Sequence, residues 1–578
     1  MYEWQLNDLY ESYESEAFQQ DLASLDAFKI EMESLSFEDT IEAIKAVIDV
    51  KERLYITVRR LSAYISLSLS TNATDEVSTN YQNVLGNKLN QLTKYQAKMD
   101  RFIGETQVDI SKDAELAEYA FYFKEMKESA NYLLSDEVEA TISKLGRSAG
   151  HAWSSLQGYL TSQAEIEFQG EAKTLSELRN LAYDANAETR KAAFEAEIAL
   201  YDQVKDAVAF SLNNIKSQVL DVSKMRGYES PLEETLIKSR MSQATLDALL
   251  TAIQEFLPTF RRYLKHKASV LGYENGLPFY DLFAPMGDAN QTFTVEETKT
   301  YLVDKFSQFA PDLAEMTATF YEKDYMDFYP RKGKRGGAFC SNLPFIQQSR
   351  IMLNFDGSLN NVLTIAHELG HAYHGTKIQS HRPLNWSYSM PVAETASTFN
   401  EAIVMNHLLE EAASNDEKVA VIEQYLQDVT QIIVDIYSRY LFETEVFENR
   451  KSSFMFAPQL AEIMLNAQKK AYGDGLDEES LHPYMWINKS HYYSTGLSFY
   501  NFPYAFGGLF SRGLYEQYLA KPDGFVEQYS KLLETTTVAS VEDTAKVMGL
   551  DVSQVDFWRT ALSGIETYVD EFIELTSK

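Results

Sequence analysis

The chain has 578 residues, 45% of them hydrophobic and 13% aromatic, so it carries enough apolar surface for a large core, and global disorder is excluded. Its 85 acidic side chains outnumber 52 Lys and Arg, giving a formal net charge of −33, and a field of that sign repels phosphate backbones and anionic lipid, which argues against nucleic-acid and membrane partners. A single cysteine, Cys340, excludes an intrachain disulfide and a Cys-rich zinc finger and fits a reducing compartment.

The first residues, Met1 to Asp8, show neither a basic n-region nor an apolar h-region, and no 18-residue apolar run occurs, so a soluble cytoplasmic protein is expected. All 13 prolines fall at or after Pro231. Proline inside a helix costs about 3 kcal/mol, so the preceding stretch, with apolar residues such as Ile41, Ile44 and Ile48 at three- and four-residue spacing, reads as almost wholly helical. The one interruption is Glu165 to Gly170, whose alternation and terminal Gly predict a short strand and turn. Residues 329 to 358 change texture, with Gly336 and Gly337 followed by Phe345, Ile346, Ile351 and Phe355, and this is the candidate for a small sheet in a mainly α chain. Long amphipathic helices resume after it, Val419 to Glu448 among them. Residues 1–200 are expected to form an N-terminal helical region and 201–578 a catalytic region. No flexible linker separates them, so they should pack into one body.

Chemistry concentrates at Asn360 to Gly375, which contains His367-Glu368-Leu369-Gly370-His371. Four residues advance about 400° along a helix, so both imidazoles project from one face and can reach one cation, with Glu368 beside them. Ser358 is the expected N-cap and Gly375 the expected stop, while Gly370 inside the helix suggests that something packs close there. A catalytic zinc needs a third protein donor and an open position. Twenty-three residues after His371 comes Glu394, with Glu401 seven further on; on a helix they share a face, so one can bind metal while the other orients a ligand imidazole. Ligation by both His371 and His374 would leave His367 badly aimed, so His374 is assigned to packing or to supporting a ligand. The basic cluster Arg331, Lys332, Lys334 and Arg335 is assigned to a peptide carboxylate or to internal acids.

These motifs, with Pro330 to Cys340 upstream and His491-Tyr492-Tyr493 and Phe499 to Ala505 downstream, resemble the thimet oligopeptidase family, most closely its oligoendopeptidase F branch, from about residue 200 to the end. The resemblance implies one zinc per chain on His367, His371 and Glu394, with Glu368 as general base, while Glu401 is read from its spacing alone, either as the support of a ligand imidazole or as a solvated charge. It also implies a two-lobed helical zincin-type body with a deep substrate channel, and an oxyanion donor among His491, Tyr500 and Tyr504, of which Tyr500 is favoured. The activity expected is hydrolysis of internal bonds in short oligopeptides. A metallocarboxypeptidase and a non-catalytic peptide-binding protein with a structural metal are the alternatives. An extended peptide would pair with an exposed strand edge, for which Ser349 to Phe355 is the candidate, with Ser349, Ile351 and Leu353 in contact and Gly336 and Gly337 admitting the substrate backbone closely.

Overall fold

The computed structural model describes residues 2–287 and 292–577. Helices α1 (Glu16–Ser34), α2 (Ile41–Thr71) and α3 (Glu76–Glu105) form the N-terminal layer. Each begins on a side chain that accepts from a first-turn amide, Ser15, Thr40 and Asp75 in turn. With no proline to interrupt them, α2 and α3 reach 31 and 30 residues. Their inner faces bury Phe18, Ile44, Leu61, Leu92 and Met99 in one apolar cluster that extends to Leu343 and Met352 of the sheet described below.

Strands β1 (Glu165–Phe168) and β2 (Glu171–Thr174) form the hairpin expected at Gly170. Its two turn residues, Gln169 at φ 52° and Gly170 at φ 86°, both take the left-handed conformation, which matches the twist of the flanking strands. Helix α4 (Ala187–Arg226) then runs for 40 residues and ends at Gly227 with φ 95°. Leu200, Tyr201, Leu212 and Ile215 on α4 share a second apolar cluster with Phe442, Val446 and Trp486. The expected boundary at residue 200 therefore falls in the middle of one helix, among side chains that pack together.

The second sheet holds β3 (Met326–Asp327), β4 (Phe339–Leu343) and β5 (Gln348–Met352) in the order β3-β5-β4. β5 pairs parallel with β3 and antiparallel with β4. This corrects the expectation for the substrate edge: β5 is the central strand, both its sides are taken, and Ser349, Ile351 and Leu353 are buried. The edge strands are β3, two residues long, and β4.

After the sheet come α5 (Leu359–Ile378), α6 (Thr395–Glu411) and α7 (Asn415–Thr430), a wide π turn at Gln431–Asp435, then α8 (Ile436–Arg450), α9 (Phe502–Ala520) and α10 (Val555–Thr576). The largest core lies between them: Ile365, Ala366 and Leu369 of α5, Phe399 and Ile403 of α6, Phe506 and Phe510 of α9, and Trp558 and Ile565 of α10. Among the described residues, no helix is long and apolar enough to cross a membrane.

Candidate active site

Helix α5 carries His367, Glu368 and His371 through the centre of the core. Two of its glycines are explained by close neighbours. A Cβ on Gly370 would stand 2.4 Å from the Ala396 carbonyl oxygen, so only glycine lets α6 lie this close, as its helical position suggested. Gly375 is not the helix stop, since α5 continues to Ile378; a Cβ there would meet the Asn342 side chain at 2.5 Å, so this glycine admits β4 instead.

The α5–α6 contact sets the geometry of the donors. His367 Nε2 lies 3.2 Å from His371 Nε2, and each is 3.4 Å from Glu394 Oε2. Zinc bonds of about 2.0–2.2 Å to nitrogen and oxygen require tetrahedral donor–donor edges of about 3.3–3.5 Å, so this triangle fits one zinc with a fourth vertex left open. Glu394 reaches the imidazoles because it sits at a break, with φ −90° and ψ 6°, between the single turn Met390–Ala393 and the start of α6. Ser397 Oγ donates to Glu394 Oε2 at 2.7 Å, and α9 packs against the same side chain, where a Cβ on Gly507 would come within 2.9 Å of Glu394 Cβ. Glu401 takes the opposite nitrogen of the same ring, hydrogen-bonding His367 Nδ1, which leaves Nε2 to face the triangle.

Burial pulls His367 down, but Glu401, then Glu394 and Glu368, outweigh it and lift the group to about 9. His371 is lowered to about 4 by burial and by the charge on His367. Glu368 is raised to about 7, chiefly by burial, against the opposing pull of His367. Its Oε2 is buried without a hydrogen-bond partner, and the nearby backbone N–H of Cys340 on β4 draws its pKa down only slightly. Between them these groups form a cation-ready triangle with an uncommitted carboxylate oxygen beside it.

His491, Tyr500 and Tyr504 cluster together, with ring centroids 4.6 Å apart for His491–Tyr500 and 5.3 Å for Tyr500–Tyr504. The Tyr500 hydroxyl lies 3.6 Å from Met390 Sδ, in the turn that leads to Glu394. Tyr504 feels Glu394 directly; burial and neighbouring Tyr500 push its phenol above the ordinary range. Phe499, just before Tyr500, holds φ 51°, a conformation a phenylalanine rarely adopts.

Along the antiparallel ladder, residues alternate between the paired and the open side of β4; the Cys340 amide faces outward to Glu368, and Asn342 shares that side. A cavity of about 370 Å³ touches Ala338, His367, Glu368 and Glu401, and another of about 340 Å³ touches Cys340, Asn342 and Tyr388, so the open edge of β4 runs from one to the other. Ser349 faces inward, where its hydroxyl donates to Asn342 Oδ1 at 2.7 Å, and Asn342 Nδ2 in turn donates to the His371 carbonyl at 3.3 Å. Gly337 takes φ 80° in the turn before β4, while Gly336 needs no special conformation and neither glycine has a neighbour within 4 Å of a Cβ. The basic cluster is turned to an internal acid: Arg331 pairs bidentately with Asp327 at 2.7 and 2.9 Å, and buried Lys334 reaches the same carboxylate at 2.5 Å. His374 packs away from the triangle, bonding Thr536 Oγ1 at 2.8 Å and stacking on Tyr388.

Sequence reasoning missed Ser397, the Cys340 amide, Asn342 and Tyr388. Ser397 had a readable signal, since it lies one turn after Glu394; the others act through the backbone or across the sheet, where spacing carries no information.

A family model described as peptidase family M3 matches residues 180–563, and one described as oligopeptidase F matches residues 105–165. Among curated relatives, oligopeptidase PepF of Bacillus subtilis is 24% identical, the match covering 100% of this chain and 87% of that protein. Group B oligopeptidase PepB of Streptococcus agalactiae is 23% identical over 80% of this chain and 78% of its own. The fold is shared with oligoendopeptidase-F from Enterococcus faecium, at 20% identity and TM-score 0.72 over 97% of this chain and 99% of that one. It is also shared with a candidate peptidase from Chlamydophila abortus, at 19% identity and TM-score 0.85 over 99% and 98%.

Proposed function

Because the chain belongs to peptidase family M3 and is therefore a metallopeptidase, we propose that it cuts internal bonds of oligopeptides at one zinc held by His367, His371 and Glu394. A zinc held by these donors supplies a Lewis acid that polarises a carbonyl and lowers the pKa of a water toward neutrality. Glu368 takes the proton of the attacking water and hands it to the leaving amine; its lifted pKa and its unpartnered Oε2 suit both halves of that transfer. Glu401 holds the His367 ring in the tautomer that offers Nε2. Tyr500, supported by His491 and Tyr504, donates to the oxygen on which negative charge develops. The peptide lies extended along the outer side of β4, pairing main chain to main chain with the Cys340 carbonyl and the Asn342 N–H, since the Asn342 carbonyl already accepts from Arg59, and so tolerating many side chains. The lone cysteine suits the cytoplasm.

The observation that carries the reading is the 3.2, 3.4 and 3.4 Å triangle with the free carboxylate oxygen next to it. Three protein donors leave a position for reactants, which a purely structural zinc does not. The test is Glu368→Gln, assayed on a peptide blocked at both termini. The variant should retain one zinc per chain and lose hydrolysis by about a thousandfold or more. Undiminished cleavage by the variant would reject the base; failure of the wild type to cut the blocked peptide would favour an exopeptidase.

A further inference from the structure

The outer edge of β4 borders a cavity of about 340 Å³ whose walls come from distant parts of the chain: Cys340 and Asn342 of β4, Trp386 and Tyr388 of the segment that leads to Glu394, and Arg59 of α2. Two hydrogen bonds hold Arg59 across the gap. Its Nη1 donates to the Tyr55 hydroxyl at 2.8 Å, one turn back on the same helix, and its Nη2 donates to the Asn342 carbonyl at 3.2 Å. The second bond takes the acceptor that a further substrate amide would have used, so main-chain pairing along β4 ends there. These bonds engage only part of the guanidinium's set of N–H donors. Although acidic side chains outnumber Lys and Arg by 85 to 52, no carboxylate among the described residues lies within ion-pair distance of Arg59. It is the only charged residue lining the cavity; amides and hydroxyls such as Gln348, Gln379 and Ser387 make up the polar wall.

We propose that Arg59 is a specificity-determining residue, which receives a glutamate or aspartate side chain of the peptide at the position where the peptide leaves β4 past Asn342. The planar guanidinium matches a carboxylate with two parallel hydrogen bonds, and no acid in the wall competes for it. A lysine at that position meets a like charge, and a neutral side chain leaves the free donors unpaired. The cavity belongs to the same groove as the metal triangle: the Tyr388 phenol in its wall lies in the field of both Arg59 and Glu394. The selecting group comes from the N-terminal layer, at a position outside both stretches matched by the family models, so it is a property of this chain's own residues. The inference deepens the reading above and rests on the peptide course given there.

The test uses the full chain and a set of isomeric peptides, blocked at both termini, in which a single Glu is moved position by position. All members share one composition and one net charge, so the field of the whole molecule acts on them alike. Affinity is measured by calorimetry on the Glu368→Gln variant, which reads binding without turnover. One isomer should bind about tenfold more tightly than the others. Adding Arg59→Met, or Arg59→Gln if the first variant does not fold, should bring that isomer level with the rest, while Arg59→Lys, which keeps the charge and loses the fork, should retain part of the preference. Isomers that bind alike or not at all, or a preference that survives Arg59→Met, would overturn the proposal. Cleavage by the wild type is scored separately: hydrolysis without positional preference keeps the peptidase reading and rejects the role of Arg59, whereas preference without hydrolysis does the reverse.

Discussion

His374 keeps its imidazole uncharged in a fully buried site between Tyr388 and Thr536, and burial holds its pKa at about 3, well below the ordinary 6.5. Between those values the unfolded chain binds a proton that the folded chain refuses. Its contribution to stability is therefore complete above pH 6.5 and is lost as pH falls toward 3, by several kcal/mol at about 1.4 kcal/mol per unit. His374→Gln should flatten the fall in melting temperature between pH 6.5 and 4, measured by calorimetry against wild type; an unchanged slope would place the acid sensitivity elsewhere. Glu401→Gln tests the support of His367: a neutral amide still reaches Nδ1 but polarises the ring less, so zinc affinity should drop by about 10- to 100-fold in a chelator competition, with the fold intact. At this scale the pair His367 and His371 was legible because helical period alone aligns them. Which of Glu394 and Glu401 faces the triangle came only from the family resemblance and not from spacing, because seven residues bring both to the same ring, one at each nitrogen.

Among the elements, the approach of α6 to α5 at Gly370 is what brings Glu394 to the imidazoles. Gly370→Ala would drive a methyl into the Ala396 carbonyl at 2.4 Å, and neither backbone can yield cheaply. The variant should lose about 1–3 kcal/mol of stability and bind zinc more weakly, since the two ligand-bearing helices must part. The open side of β4 makes a separate prediction: a substrate N-methylated at the residue that donates to the Cys340 carbonyl loses a main-chain donor, and its kcat/KM should fall at least tenfold while methylation one residue away has little effect. The sheet itself was legible from the β-branched and aromatic run around Ile351, but the order of its strands was not. β3 has only two residues, too few to leave a pattern, yet by pairing with β5 it moves the free edge to the neighbouring strand.

For the molecule as a whole, the absence of proline before residue 231 announced the long N-terminal helices, and composition announced the sign of the field. Where one region ends and the next begins was not readable, because α4 serves one apolar cluster on both sides of residue 200. A charge of −33 steers cationic peptides toward the protein and is screened by salt. For two peptides of equal length, kcat/KM should decline with ionic strength for a Lys-rich one and rise for a Glu-rich one; parallel behaviour would mean that the field does not govern encounter. The amide of Cys340 gives the molecule a further property. It belongs to the strand proposed to carry the peptide and, at the same time, lies close enough to the carboxylate proposed to act on it to bear on that group's charge. A peptide laid on that strand would then meet the general base at a spacing set by the frame, whatever side chains the threaded peptide happens to bear.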